Sequence, residues 1–369
     1  MFPIPATAKL HLRPIEFVDT PVGRHGEVAR LAGGLQWFAA WELIAVEAGR
    51  RLHRETVPVA LLEKRAAELH QGEALVALAA RITGHRAPLA LGERVLRFDQ
   101  PQVMGILNLT PDSFSDGGAH FADPAGAAEA AVGMAAAGAA VIDIGGESTR
   151  PGAATVWEGD EIARVAPVIE RLRGAGTLVS IDTRKAAVME AALAAGAHIV
   201  NDVAALLYDD RALEVVVRAG CPVVLMHSAD PRRGAEGGGY GDVLIEVYDW
   251  LERRVGDVIA AGVPRERILI DPGIGFGKTL ADNLALLNGL ALFHGIGCPI
   301  LLGASRKRIV GALSNEAPAE KRLGGSIALG LKGAELGAQL LRVHDVFESV
   351  QALRVWRGMR DAALTAAHP

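Results

Sequence analysis

The sequence predicts an α/β protein whose main part is a (β/α)8 TIM barrel, preceded by a mainly helical N-terminal extension. After the first 86 residues, eight short aliphatic segments alternate with Ala-rich helical segments. Each aliphatic segment is a continuous apolar run, as expected for parallel strands that are covered on both faces. Eight strand–helix units indicate a closed barrel. An open, doubly wound sheet is the alternative that this pattern leaves open.

The composition excludes several functional classes. Of the 369 residues, 50% are hydrophobic and 22% are charged, so the chain can bury a large core and is not disordered throughout. The formal charge is −5 and no Lys/Arg-rich run occurs, which argues against a nucleic-acid-binding or membrane-binding surface. The sequence contains no H-E-x-x-H and no G-x-S-x-G motif, so it supports neither a zinc protease nor an α/β-hydrolase.

The cysteines and the N-terminus indicate the cellular compartment. Cys221 and Cys298 are the only cysteines and lie far apart, which excludes a disulfide scaffold and a cysteine zinc site. Two isolated cysteines fit a reducing compartment. The first residues lack the charged-then-apolar order of a secretion signal, and the apolar stretches are too short to cross a bilayer. We therefore expect a cytoplasmic protein.

Residues 1–86 are predicted to form an N-terminal extension of unknown role, and residues 87–369 the barrel. The extension contains an apolar run around Trp41, and helical patterns follow at roughly 59–70 and 73–82. No catalytic constellation occurs in it. We expect a small helical appendage that packs on the barrel or on a partner.

The elements of the barrel follow in order. A hairpin is predicted at 89–98, where a polar Gly-Glu turn separates two apolar flanks. The strand candidates are short β-branched or aliphatic runs, at 102–107, 139–144, 177–182, 198–202, 222–226, 267–271, 299–303 and 339–343. Local signals mark helix ends between them: Asp123 and Pro124 fit the N-cap and first helical position, and Gly138 ends that helix.

Polar side chains follow the predicted strands one after another. They are Asn108, Asp143, Asp182, Asn201 with Asp202, His227, Asp271, the group Ser305-Arg306-Lys307, and Arg342 with His344. Any single Asp or Asn at such a position is explained equally well as a turn former or a helix N-cap. A whole series is poorly explained in that way, and in a barrel all these ends face one pocket.

Three loops add candidate ligand contacts. The segment 104–118 exposes Phe114 among small polar residues, as a lid over a ligand would. The segment 143–153 offers Arg150 to clamp an anion or stack on a flat ring, although a surface turn explains this arginine equally well. The segment 271–279 matches neither the P-loop nor G-x-G-x-x-G. Its glycines are expected to let the backbone pass close to a planar ligand.

Positive charge follows the last two strands. Residues 306–308 are all cationic, and Arg342 and His344 follow the eighth strand. Barrels often bind phosphate with the loops after strands seven and eight, so these groups could hold a diphosphate by charge-assisted hydrogen bonds. A solvated basic turn is the alternative. Asn108 and a diphosphate could share Mg²⁺, which prefers oxygen ligands and usually keeps waters.

Taken in order, eight motifs resemble those of the dihydropteroate synthase family. They are MGILNLTPDSFSDGG, VIDIGGESTRPGA, SIDT, VND, LMH, DPGIGFGK, SRK and RVHD. The two long motifs are specific, and the short ones add weight by their order and spacing. The resemblance implies a TIM-barrel enzyme, a target of sulfonamides, that acts in folate synthesis. Such an enzyme joins 4-aminobenzoate to (7,8-dihydropterin-6-yl)methyl diphosphate and releases dihydropteroate and diphosphate.

The resemblance also implies the roles of the site residues. Asn108 would bind Mg²⁺ together with the diphosphate. The pterin ring would be contacted by Asp182, Asn201, Asp271 and Lys307, of which Asp182, Asp271 and Lys307 are the expected catalytic residues. The diphosphate end would be held by Thr149, Arg342 and His344. The aminobenzoate side would be lined by Thr149, Arg150, Phe276 and Ser305. Asp143 matches a family aspartate whose role the resemblance leaves open.

Two other functions share parts of this pattern. A pterin-dependent corrinoid methyltransferase has the same barrel and pterin aspartates, but a methyl donor does not explain TPDSFSDGG or residues 305–307. An inactive pterin-binding subunit does not explain the intact series of polar strand ends. The expected partners are two small-molecule substrates and a second copy in a homodimer. Val346, Val350 and Leu353 share one helical face that could form the dimer interface or pack on the barrel.

Overall fold

The N-terminal extension is an α+β unit. The structure is a computed structural model, which describes residues 4–110, 123–148, 154–228 and 239–365. The elements of the extension, in chain order, are β1 (Lys9–Val18), β2 (Ala29–Arg30), β3 (Trp37–Glu47), β4 (Arg50–Pro58), α1 (Leu62–Ala67) and α2 (Gly72–Thr83). The strands form one antiparallel sheet in which β3 pairs with the other three.

The prediction of a mainly helical extension is wrong for the apolar run around Trp41, which forms β3. This strand is buried on both faces. Leu43 packs in one apolar cluster with α1 and α2, whereas Ile44 packs in the core of the barrel domain. Burial on both faces produces a continuous apolar run, whose periodicity does not distinguish a strand from a helix. The helices predicted at 59–70 and 73–82 are present as α1 and α2.

The extension packs against one side of the barrel domain. Both β1 and α2 contact the 3-10 segment Leu290–Ile296. Lys9 Nζ forms an ion pair with Asp249 at 2.7 Å. Arg86 Nη2 donates to His294 O at 3.0 Å. Of the two expected surfaces, the barrel is therefore the one that the extension covers.

The barrel domain begins with the predicted hairpin. Here β5 (Leu89–Leu91) and β6 (Arg94–Leu96) pair across a turn in which Gly92 has a φ of +63°. Glycine adopts this left-handed conformation without a steric cost. Leu89 and Phe98 pack among residues at the starts of the barrel strands, such as Leu340. The hairpin therefore closes the N-terminal end of the barrel.

In the part of the chain that the structure describes, eight parallel strands form the barrel. They are β7 (Gln102–Asn108), β8 (Val141–Gly145), β9 (Val179–Asp182), β10 (Ile199–Asp202), β11 (Val223–Met226), β12 (Ile268–Asp271), β13 (Leu301–Leu302) and β14 (Leu340–Val343). Neighbours in chain order are hydrogen-bonded from β7 to β12, and β14 joins β13 to β7. A parallel bridge between Ile270 and Ile300 closes the ring. The prediction of a (β/α)8 barrel is confirmed.

Helices cover the outside of the strands. They are α3 (Pro124–Ala137), α4 (Glu158–Arg173), α5 (Ala186–Ala195), α6 (Ala212–Ala219), α7 (Val243–Ala260), α8 (Leu280–Asn288), α9 (Arg308–Leu313), α10 (Leu323–Glu335) and α11 (Val346–Thr365). The predicted ends of α3 are present, since Asp123 accepts from Ala125 N at 3.0 Å and Gly138 has a φ of +112°. None of the helices in the described ranges has the length and apolar character needed to cross a bilayer.

The C-terminal helix α11 uses its predicted apolar face to pack on the barrel. Val346, Val350 and Leu353 are buried. A methyl group on Gly105 would come within 2.9 Å of Val346, and one on Gly138 within 2.9 Å of Val350. Glycines at these positions let the helix approach the barrel closely. This face belongs to the core and not to a dimer interface.

Candidate active site

Arg342 joins two aspartates at the C-terminal end of the barrel. Its Nε donates to Asp143 Oδ2 at 2.6 Å, and its Nη2 donates to Asp182 Oδ2 at 2.7 Å. Asn201, which lies beside Asp182 in the parallel register, donates from Nδ2 to the same oxygen of Asp143 at 3.0 Å. Asp143 is fully buried. We therefore assign to Asp143, whose role the resemblance leaves open, the orientation of the Arg342 and Asn201 side chains.

Asp182 has one oxygen that is paired and one that is not. Its Oδ1 is buried and makes no hydrogen bond within the described residues. Burial raises the pKa of Asp182 to about 7, and the opposing effect of Arg342 is smaller. The carboxylates of Asp143 and Asp202 add to the rise. Asp182 thus presents an acceptor that suits an N–H donor of a ligand and titrates near neutral pH.

Asp271 and Lys307 are a second pair of opposite charges at this end. Asp271 Oδ1 accepts from Gly273 N at 2.7 Å, and burial raises the pKa of this carboxyl. Lys307 Nζ donates to Ile274 O and lies 4.6 Å from the centre of the Phe276 ring. Burial lowers the pKa of Lys307 to about 8, although Asp271 opposes this effect. Lys307 therefore carries a charge that is lost slightly above neutral pH.

Two glycines border the space between these polar groups. A methyl group on Gly303 would lie 3.6 Å from Asp271 Oδ2. One on Gly145 would lie 3.7 Å from Asp182 Oδ2 and 3.7 Å from Asn108 Oδ1. These are van der Waals contact distances, so a larger residue at either position would reach the polar atoms. The strand ends enclose one shared space with charge of both signs.

Lys278, which sequence reasoning missed, shapes the segment after β12. Its buried Nζ donates to the carbonyls of Gly273 at 2.8 Å, Phe276 at 3.2 Å and His227 at 3.1 Å. Gly273 has a φ of +71°, and a Cβ there would lie 1.8 Å from His227 O. Burial lowers the pKa of Lys278 to about 7. The glycine thus permits a tight turn that presents Phe276.

Ser305 and His344 are in contact. Ser305 Oγ accepts from His344 N at 3.2 Å and lies 3.1 Å from His344 Nδ1. Arg306 has a different role, since it forms a two-bond ion pair with Asp345, with 2.9 Å between Nε and Oδ2. Lys307, which follows Arg306, reaches the charges at the strand ends.

Asn108 is the expected metal ligand. It ends β7, and its side chain makes no hydrogen bond within the described residues, so Oδ1 is available. Those residues hold no cluster of three His, Cys, Asp or Glu side chains suited to a metal. One amide oxygen suits Mg²⁺, which keeps several waters and takes further ligands from substrate phosphates. The donor set fits a metal that arrives with a diphosphate.

Some expected site residues fall outside the described ranges. They are Thr149 and Arg150, together with the polar loop around Phe114. Conversely, two buried charged residues beside the site, Glu161 and Lys185, were not predicted. No sequence signal marks them, because a charged residue near a helix start is usually solvated.

Comparisons with known proteins agree with this geometry. Residues 104–344 match a family described as pterin binding enzyme. The dihydropteroate synthase of Escherichia coli strain K12 is 45% identical over 262 residues, which cover 70% of this chain and 92% of that protein.

Two solved structures are similar as well. Xanthomonas albilineans dihydropteroate synthase with 4-aminobenzoic acid has 46% identity and a TM-score of 0.69, covering 74% of this chain and 98% of that chain. The same enzyme in complex with 7,8-dihydropteroate has 44% identity and a TM-score of 0.67, covering 74% and 99%. The match to the family and the identity to its curated members extend over most of the barrel. The chain therefore belongs to the pterin binding enzyme family and, within it, to the dihydropteroate synthases.

Proposed function

We infer that this chain condenses (7,8-dihydropterin-6-yl)methyl diphosphate with 4-aminobenzoate, giving 7,8-dihydropteroate and diphosphate in folate biosynthesis. The observation that carries the inference is the arrangement of Asp182 and Asp271 with Arg342 and Lys307 around one space. A pterin offers adjacent ring N–H and NH₂ donors, and a diphosphate offers anionic oxygens. The space presents carboxylate acceptors to the first and cations to the second.

In this proposal the pterin binds to the polar groups at the strand ends. Asp182 accepts from the ring through Oδ1, which has no other partner within the described residues. Asp271 uses Oδ2, because Oδ1 is held by Gly273 N. Asn201 presents its side-chain oxygen, because Asp143 holds the nitrogen. Lys307 donates to a ring acceptor.

The diphosphate binds at the other side of Arg342. Two nitrogens of Arg342, Nε and Nη2, donate to Asp143 and Asp182. The third nitrogen, Nη1, makes no hydrogen bond within the described residues. Nη1 therefore contacts the leaving group, together with His344 and Thr149. Mg²⁺ held at Asn108 would supply further charge neutralisation on the phosphate oxygens.

The chemical step is a substitution at the methylene carbon of the pterin. The carbon–oxygen bond to diphosphate breaks, and positive charge develops on the pterin. Asp182 and Asp271 stabilise this charge, and such preorganised electrostatic stabilisation often contributes more to catalysis than any other effect. The aniline nitrogen of 4-aminobenzoate forms the new bond and then loses a proton. It is already nucleophilic, so the reaction needs no Ser–His pair.

The second substrate, 4-aminobenzoate, has a binding side of its own in this proposal. We propose that Thr149, Arg150, Phe276 and Ser305 line this side. Phe276 is partly exposed and is held in place by its carbonyl, which accepts from Lys278 at 3.2 Å. An aromatic ring at this position suits the flat ring of 4-aminobenzoate.

A turnover assay with the purified protein tests the function. We expect diphosphate release when both substrates are present and none when either is omitted. A corrinoid methyltransferase would instead require cobalamin and a methyl donor. An inactive subunit would bind the pterin without turnover. Failure to release diphosphate from both substrates would overturn the proposed function.

We also propose a homodimer, formed by the outer face of α11. Phe347, Val355 and Met359 are 61%, 61% and 70% exposed. Their spacings of eight and four residues place them on one side of the helix, which gives an exposed apolar stripe. Two copies of such a stripe form a symmetric interface. Light scattering with a dimer mass at micromolar concentration is the expected result, and a monomer mass would contradict it.

The proposed location is the cytoplasm. Cys221 and Cys298 are buried free thiols. Burial raises the pKa of each thiol to about 11, so both stay protonated and unreactive. Free thiols are usual in a reducing compartment.

A further inference from the structure

A cleft of about 180 Å³ lies where the extension joins the barrel. One side comes from the end of the extension and the other from the segments before β12 and β13, so the cleft is at the N-terminal end of the strands. The polar strand ends of the proposed active site are at the opposite end of the barrel. The lining residues include His85, Arg86, Arg265, Glu266, Gly297 and Pro299.

Arg86 is a buried arginine whose hydrogen bonds are incomplete. The residue is 5% exposed. Its Nη1 donates to the carbonyls of Arg81 and Gly84, each at 2.9 Å, and its Nη2 donates to His294 O at 3.0 Å. Its Nε is buried and has no hydrogen-bond partner among the described residues. A buried donor without a partner is unfavourable, so the protein leaves part of this guanidinium unsatisfied.

The charge of Arg86 also lacks an acidic partner in the described ranges. Its three acceptors are backbone carbonyls, which offset the charge only in part. Burial lowers the pKa of Arg86 to about 10; the Cys298 thiol opposes this effect, whereas the like charges of Arg265 and Arg81 add to it. Buried charges in proteins are usually paired with an opposite charge. The surroundings of Arg86 therefore favour an added anion.

Two further arginines converge at the same cleft. A methyl group on Gly297 would lie 2.9 Å from Arg81 Cδ and 3.6 Å from Arg265 Cδ. Gly297 lines the cleft and has a φ of +87°, which favours glycine. The side chains of Arg81 and Arg265 therefore both flank this glycine, and positive charge concentrates at this end of the barrel.

Arg265 has one edge of its guanidinium available. It is exposed, and its Nη1 donates to Ile296 O at 2.6 Å. Its Nε and Nη2 make no hydrogen bond within the described residues. Arg306 uses this same pair of nitrogens to hold the carboxylate of Asp345. The edge that Arg265 leaves open is thus the one that binds two oxygens of an anion at once.

Glu266 is the acidic residue among those that line the cleft. It is exposed, and it is not among the groups that shift the pKa of Arg86. With Arg86 and Arg265 against one glutamate, the charged groups of the lining carry a net positive charge. His85 adds a ring that can donate a hydrogen bond.

We propose that this cleft is an anion site, distinct from the proposed active site, that binds a phosphate group. Arg265 and His85 contact the phosphate, and the buried charge of Arg86 attracts it. The flat fork of an arginine matches the oxygens of a phosphate. A water molecule takes up about 30 Å³, so the cleft accommodates a phosphate ion or a small phosphate ester. Because both sides of the cleft contribute, the bound phosphate stabilises the contact between extension and barrel.

Calorimetry and thermal unfolding of the full chain test the proposal, with inorganic phosphate as the probe and chloride of equal ionic strength as the reference. Phosphate also suits the proposed active site, which is the same in wild type and in Arg265→Met, so the difference between the two proteins measures the cleft. We expect Arg265→Met to weaken phosphate binding at the cleft about 10-fold and to reduce the rise in Tm.

Arg267→Met is the matched control. Arg267 lies on the same segment, is exposed and is not among the lining residues, and its replacement removes the same charge. We expect phosphate affinity within about 2-fold of wild type in this control. Glu266→Gln removes the repelling carboxylate and should tighten phosphate binding about 3-fold.

Equal phosphate affinity in wild type and folded Arg265→Met overturns the proposal, and so does equal weakening in Arg267→Met. If Arg265→Met does not fold, Glu266→Gln decides, since an unchanged or weaker affinity in it contradicts the site. A second titration with glycerol 3-phosphate identifies the source of the phosphate. A response that Arg265→Met reduces extends the site to small phosphate esters, and a response to inorganic phosphate alone restricts it to the free ion.

Discussion

Arg342 Nη2 donates to Asp182 Oδ2 at 2.7 Å, which joins the last strand of the barrel to the third. An arginine normally lowers the pKa of its carboxylate partner. Here burial, together with the nearby carboxylate of Asp143, outweighs the effect of the arginine and raises the pKa of Asp182 to about 7. One oxygen of Asp182 accepts from Arg342, and the other is buried without a hydrogen-bond partner among the described residues. In the proposed function, this pair connects the diphosphate end of the site to the pterin end.

Replacing either site aspartate by asparagine is expected to remove most turnover and to leave the fold intact. In Asp182→Asn and Asp271→Asn, a neutral amide stabilises a cationic transition state less and mispairs with ring N–H donors. The loss in kcat is expected on the order of 10²–10³-fold. Kinetics with both substrates measure it, and circular dichroism checks the fold. Near wild-type kcat in both variants would contradict the assignment.

The pH dependence of kcat/KM is expected to be bell-shaped. Activity rises as Asp182 ionises, with a pKa of about 7, and falls as Lys307 loses its proton, with a pKa of about 8. These are the pKa values of the free enzyme, which kcat/KM reports. A flat profile from about pH 6 to about pH 9, which is roughly one unit beyond each pKa, would contradict it. Lys307→Met should lack the basic limb. The control Arg13→Met removes a cation that lies in the extension, 2.6 Å from Glu42 Oε2, and should keep both limbs.

The same raised pKa predicts how Asp182→Asn changes stability. A carboxyl whose pKa is higher in the folded state, about 7 against 3.8, binds its proton more tightly there than in the unfolded chain. Its favourable contribution is present below pH 3.8 and is lost as the pH rises through about 7. The Tm of Asp182→Asn relative to wild type should therefore increase from acidic to alkaline pH. A relative Tm that falls over this range would contradict the raised pKa.

Diphosphate binding is expected to depend on Mg²⁺ and Asn108. Calorimetry with diphosphate should show tighter binding with the metal than without it. In Asn108→Ala the metal-dependent gain should fall on the order of 10-fold, because one of the oxygen ligands is lost. The affinity for diphosphate without Mg²⁺ should be unchanged in Asn108→Ala. The variant Arg342→Ala should bind diphosphate more weakly under the same metal-free conditions. Equal wild-type affinity with and without Mg²⁺ would show that the metal role of Asn108 is wrong.

A shortened protein that begins at Ala87 is expected to keep turnover and to lose solubility. The proposed catalytic and substrate-binding residues all lie after the extension. Its removal would expose Phe293, which is buried in the segment that the extension covers. It would also expose Tyr248, whose ring packs against the His11 ring of the extension at 4.9 Å. We expect kcat/KM within about 2-fold of the full protein, a lower Tm and aggregation, because the new apolar patch is sticky. A folded, monodisperse shortened protein without activity would show that the extension reaches the active site.

The strand-end series was predictable because a barrel brings the C-terminal ends of all its strands to one face. The structure confirms the barrel. In it Arg342 donates to both Asp143 and Asp182, and Asn201 donates to Asp143. Sequence position alone did not show which strand-end residues are structural. Asp202 also ends a strand, yet it accepts from the backbone nitrogens of Ala204 and Leu206, each at 2.7 Å, and so shapes a turn.

Pairing between distant residues decided the roles of the cations. Arg306 and Lys307 are adjacent, but Arg306 is paired with Asp345, and Lys307 faces Asp271. Lys185 resembles any lysine at a helix start, and its burial comes from Glu147 and Glu161 on other elements. A lysine is solvated by default, so only the packed structure shows that it is buried and paired.

By itself, the sequence determined the order of the barrel elements, the hairpin before them and the polar residues at the strand ends. Local hydrophobic patterning and turn chemistry carry that information. Only the tertiary structure decided that the apolar run around Trp41 is a strand, that the apolar face of α11 is core, and that Asp182 titrates near neutral pH. Each of these depends on which surfaces cover a residue, and those surfaces come from segments far away in the chain.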